Sequence, residues 1–83
     1  MGRTTLTARQ DTRRIVDQVR KMETVMRRED CAILERILIL GQAHTPEVSA
    51  STLDSFSGFL ISIIMELSKK IFALEKRQEQ DDL

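Results

Sequence analysis

Apolar side chains recur along this chain at the spacing of a helix rather than a strand. Between Asp11 and Leu40, the residues Ile15, Val16, Val19, Met22, Met26, Ile33, Leu34, Ile37 and Leu40 fall within about 60° of one direction when wound at about 100° per residue. The phase survives the charged stretch "RRED" at 27–30, which predicts one continuous helix over 11–40. Thr7 and Gln10 have capping-box spacing near its start, and Gly41 suits the left-handed position after its end. The same residues allow a hinge at 27–30, with Asp30 capping a second helix. In the continuous helix, Asp30 sits about 20° from the centre of the apolar stripe, where a polar group specifies register and oligomer state.

A second stripe follows. Leu53, Phe56, Leu60, Ile63, Ile64, Leu67, Ile71 and Leu74 recur close to a heptad seam, predicting a helix over 51–78. "STLD" at 51–54 has the pattern of a helix start. The connection at 41–50 holds the only proline, Pro46, in a position suited to open a helix. Residues 1–10 read as a flexible basic arm and 79–83 as a polar acidic tail.

Two helices of about 30 residues joined by a short loop favour antiparallel neighbours. The expected fold is therefore all-α, an antiparallel helical hairpin. One hairpin leaves apolar side chains over. Ile61, Met65 and Phe72 point well away from the main stripe of the second helix, and Phe59 points to its other side. Cys31, Ala32 and Ile39 do the same on the first. Covering such side chains contributes roughly 1.5–3 kcal/mol each, and leaving several open makes a binding patch. The simplest closure is a homodimer forming a four-helix bundle.

Composition narrows the chemistry. The 83 residues hold one domain at most, at 41% hydrophobic and 31% charged, with no Trp or Tyr and three Phe. Those values exclude a disordered chain and a membrane span; the uncharged run 55–65 falls short of the roughly 20 residues a spanning helix needs. One cysteine and one histidine, Cys31 and His44, exclude an internal disulfide and disfavour a metal site. His44 reads as an exposed loop residue. Cys31 reads as a small contact residue, although Arg27 and Arg28 would activate a thiol folded beside them. Glu29, Asp30 and Glu35 have no nucleophile, glycine-rich loop or second histidine to work with. No enzyme activity and no cofactor are expected. The location expected is intracellular, cytoplasmic or nuclear.

The net charge of zero hides an asymmetry. Residues 1–28 carry eight Arg/Lys against three acids, and residues 29–83 carry five against ten. Arg13, Arg20 and Arg27 recur every seven residues beside the apolar stripe, where a partner helix would place acids. The acidic end, with Glu75, Glu79, Asp81 and Asp82, would approach Arg13 and Arg14 in a hairpin. The functional expectation is a non-catalytic protein–protein interaction module, a small adaptor or regulator, binding itself and another protein through Ile61, Met65, Phe72 and the arginine row. The alternative is a nucleic-acid-binding regulator using the basic N-terminal segment, since phosphate contacts need several Lys/Arg on one face.

Overall fold

The computed structural model describes the backbone of residues 2–82 and the side chains of residues 9–81. Helix is the only regular structure among them. In order, the chain forms α1 (Gly2–Arg20), a 3-10 turn (Lys21–Val25), α2 (Arg28–Gly41), the short α3 (Thr45–Ser49) and the long α4 (Ser55–Asp82). The all-α class is as the periodicity predicts. The basic arm is not separate, because α1 already begins at Gly2, and α4 runs through the acidic tail to Asp82. Met1 and Leu83 lie outside the described residues.

The continuous helix over 11–40 does not form. Met26 (φ −101°, ψ 155°) and Arg27 (φ −65°, ψ 151°) are both extended, and α2 restarts after them. The cause is visible in the contacts across the break. Arg20 donates twice to the carboxylate of Glu35, at 2.8 and 3.0 Å. In a straight helix those residues would be about 22 Å apart along the axis, so the chain must double back between them. The Cys31 thiol, pointing at the carbonyl oxygens of Glu23 (3.5 Å) and Met26 (3.9 Å), pins the inside of the bend. Glu29 and Asp30 then fall in the first turn of α2, where the helix dipole favours acids. Asp30 is exposed there. Its expected role as a register-specifying residue rested on an unbroken helix, and the bend removes that basis.

The loop also departs from expectation. Pro46 opens α3, as its fixed φ suits. "STLD" is not the first turn of a helix; its last residue, Asp54, is the cap of α4, accepting the Ser57 N–H at 3.0 Å. Gly41 ends α2 without a left-handed residue, for no described residue has positive φ. Its lack of a side chain matters for space. A Cβ at position 41 would overlap the ring of Phe59, and one at Gly58 would overlap Val48. α2, α3 and α4 approach each other closely at these two glycines.

The core is small. Val16 of α1, Leu38 of α2 and Phe59 of α4 are buried together, with Ile15, Val19, Leu34 and Ile63 packed against them. Phe59, expected to point outward, is only 4% exposed. The chain measures 51 × 35 × 14 Å between its Cα extremes. The radius of gyration is 15.6 Å, against about 12 Å for a compact chain of this length.

Candidate functional site

The face that α4 presents to the rest of the chain is its smallest and most polar one. Ser55, Gly58, Phe59, Ser62 and Glu66 lie on it, all buried or half-buried. Serine and glycine let α3 and the end of α2 come close. Ser62, 1% exposed, donates its hydroxyl to the Leu40 carbonyl at 2.8 Å and accepts the His44 N–H at 3.2 Å. Ser55 donates to Asp11 of α1 at 3.1 Å.

The apolar stripe that the heptad pattern marks is turned outward instead. Phe56, Leu60, Ile64, Leu67, Ile71 and Leu74 are all exposed. Ile61, Met65 and Phe72, expected as the surplus beyond that stripe, are exposed as well, Phe72 at 66%. The two sets merge into one outward arc about 180° wide at 100° per residue. Within it no charged side chain occurs between Phe56 and Ser68. Where α2 meets α4, Ile33, Ile37, Ile39, Leu40 and Leu67 floor an apolar groove of about 390 Å³, with Arg36 and Lys70 on its rim. Of that stripe, Ile63 alone packs against the core, beside Phe59, and the expected packing of stripe on stripe gives way to contacts through these two residues, the serines and Gly58.

The arginines are only partly brought together. Arg13 and Arg20 line one cavity of about 650 Å³ between α1 and the α2–α3 corner, floored by Val16 and walled by Gln42, Thr45 and Pro46. Arg9 joins them one turn before Arg13. Arg27 does not, because it lies in the extended residues of the bend. Among the described residues, Arg9 and Arg13 have no ion-pair partner. Arg14 pairs with Asp11 at 3.0 Å and Arg20 with Glu35. The acidic end does not come near this cluster. Asp11 touches the start of α4, which places residues 79–82 about 36 Å farther along that helix.

Two clusters escaped the sequence pattern. At the bend, the Arg20 guanidinium holds the Glu35 carboxyl below the usual carboxylate range, and its hydrogen bond with Glu23 adds to this. Glu23 moves the other way, raised by that hydrogen bond to Glu35, by burial and by the Glu35 charge. At the corner, His44 is not an exposed loop residue. Its side chain is 14% exposed, and its two ring nitrogens sit 2.7 Å from Glu47 and 2.7 Å from Glu66. Carboxylates on both nitrogens favour the imidazolium form and raise its pKa, Glu47 contributing first. Lys69 completes the group at 2.9 Å from Glu66. Cys31 is held above its ordinary value by burial and then by the charge of Glu23, the opposite of an activated thiol.

None of these groups forms a nucleophile–base pair. The Ser62 hydroxyl faces a backbone carbonyl, and both nitrogens of His44 are occupied. Among the described residues no set of His, Cys, Asp or Glu is grouped to hold a metal ion, and no helix is long and apolar enough to cross a membrane. Compared with protein families, curated proteins and solved structures, the chain matches none.

Proposed function

We propose that this chain is a non-catalytic protein–protein interaction module, a small helical adaptor or regulator that works by lending an apolar helix face. The observation that carries this is the outward arc of α4, where Ile61, Met65 and Phe72 stand beside the exposed heptad stripe. Contiguous exposed apolar surface of this kind belongs to binding sites. Its partners are a second copy of itself and another protein. Two copies closing their open faces on each other make a helical bundle that buries those faces. Arg13, Arg20 and Arg27 act as flanking contacts in this proposal, with Arg9 and Arg13 the two best placed to receive acidic side chains of the other protein.

The test is the triple substitution Ile61→Gln, Met65→Gln and Phe72→Gln. Helix content is expected to hold, because all three side chains are exposed, while self-association and protein capture are lost. Retention of both would overturn the proposal.

One observation favours a second reading, binding of nucleic acid. Arg9 and Arg13 lie along one cavity edge without an ion-pair partner among the described residues, as phosphate-contacting side chains do. Titration with duplex DNA or RNA at low salt and at about 0.2 M separates the two readings, since phosphate binding weakens steeply with salt.

A further inference from the structure

We infer that the outward face of α4 is occupied by α4 of a second copy, running antiparallel. The inference rests on the interaction-module reading above and names the occupant and its direction.

Three observations carry it. The first is area. The chain exposes 6795 Å², whereas a compact protein of this mass exposes about 5,100 Å². The excess is roughly 1,700 Å², about twice the ~800 Å² per partner of a standard interface. The second is the middle of the outward arc. Ser57, Ile61, Ile64, Ser68, Ile71 and Glu75 lie along it, spaced 4-3-4-3-4, the seam of a two-helix pair. The third is the symmetry of that seam. Read from either end about a centre at residue 66, it places Ser57 against Glu75, Ile61 against Ile71 and Ile64 against Ser68. A surface that matches its own reverse fits an isologous two-fold contact.

Direction follows from the charges. In a parallel pair, Glu75 of one copy faces Glu75 of the other, and like charges across a seam repel. In the antiparallel pair, Glu75 meets the Ser57 hydroxyl in the first turn of the opposing helix, where the dipole favours an anion. Asp54, the cap of that helix, meets neutral Gln78. Ser68 opposite Ile64 gives the isoleucine room, so the helix axes can approach within the usual ~8–10 Å. A foreign partner has no charge to read between Phe56 and Ser68, which favours a copy of the same uncharged surface.

The experiment mixes two variants, Ile61→Cys and Ile71→Cys, each in a Cys31→Ala background, one of them isotope-labelled, under mild oxidation. Both positions are exposed, and circular dichroism confirms that each variant folds. The antiparallel pair predicts mixed disulfide dimers in several-fold excess over either like-with-like dimer. Excess like-with-like dimers would show a parallel pair and overturn the inference while self-association stands. The same holds if the unmodified chain sediments as a dimer but neither disulfide forms, since another face is then in use. A monomer by sedimentation overturns the inference together with the reading it rests on.

Discussion

Gly41 lies directly beneath the ring of Phe59, so close that a Cβ at position 41 would overlap three ring carbons. This contact seats α4 on the end of α2 and holds the small face of α4 inward. Adding a side chain at Gly41 must push Phe59 out of the core it shares with Leu38 and Val16. Gly41→Val is expected to cost about 1–3 kcal/mol by overpacking, and Phe59→Ala about 3–5 kcal/mol by leaving a cavity. Thermal or denaturant melts measure both. Loss in either variant well below these ranges would mean that α4 does not sit on α2 in this way.

Ser62 gives a second test of the same seating. Ser62→Ala keeps the shape of the contact but leaves the His44 N–H without its partner and removes one of the two donors to the Leu40 carbonyl. A loss of about 1–3 kcal/mol is expected, the cost of unpaired buried polar groups. Ser62→Leu should do more damage than Ala, because α3 has no room to retreat.

His44 makes stability depend on pH in a definite direction. Its pKa is raised in the folded chain by Glu47 and Glu66. The stabilisation is therefore complete below the ordinary histidine value of about 6.5 and is lost as pH rises through the folded value. Glu47 and Glu66 are lowered, by His44 and by Lys69 with His44 respectively. Their stabilisation is present above the ordinary carboxylate value of about 4.5 and is lost as pH falls through the folded values. The corner should be firmest between those ranges, at mildly acidic pH. In His44→Gln, the decline of melting temperature on going from mildly acidic to mildly alkaline pH should flatten. An unchanged profile would remove His44 from the corner.

The bend carries its own prediction. Arg20→Ala removes the two hydrogen bonds between the end of α1 and the Glu35 carboxylate. The Glu23–Glu35 pair then lacks its cation, and the 3-10 segment should loosen. Hydrogen exchange at residues 21–26 is expected to speed up, with the core of Val16, Leu38 and Phe59 still protected. Uniform acceleration across the chain would show that the ion pair holds the whole fold rather than the bend.

The contrast between sequence and structure is informative at particular residues. Helical class was legible because every apolar repeat has period near 3.6. The bend was not, because Met26 and Ile33 keep their phase on either side of "RRED" whether or not the helix runs through it. What decides the bend is Arg20 meeting Glu35, fifteen residues away, and no local pattern reports that. The inner face of α4 was misread for a related reason. Periodicity marks where apolar residues are, not which face is buried within one copy. Ser55, Gly58 and Ser62 recur at four- and three-residue spacing, and that stripe of small residues was the available signal for close packing. His44 was legible only as one residue. Its two carboxylate partners become neighbours through the α3 turn and the long return of α4, so three residues before Glu47 was the only local hint. Arg9 and Arg13, one turn apart, share a cavity edge that the seven-residue spacing ending at Arg27 does not report.

Charge reversal at the cavity tests the arginines without touching the bend. Arg9→Glu with Arg13→Glu spares Arg20, which the Glu35 pair requires, and both side chains are exposed. The fold and melting temperature should be nearly unchanged. Binding of an acidic protein partner should be lost, and self-association through α4 should remain. If self-association is lost as well, the two surfaces are not separate.

The most direct measurement is sedimentation equilibrium of the unmodified chain at tens of micromolar, near neutral pH, beside the Ile64→Glu variant. Ile64 lies at the middle of the outward arc and is 61% exposed, so the variant tests the surface and not the core. The expected result is twice the chain mass of 9.6 kDa for the unmodified protein and the single-chain mass for the variant, with equal helix content. A cooperatively folded 9.6 kDa monomer for the unmodified chain, or a dimer indifferent to glutamate at position 64, would contradict the claim that this face of α4 is an interface.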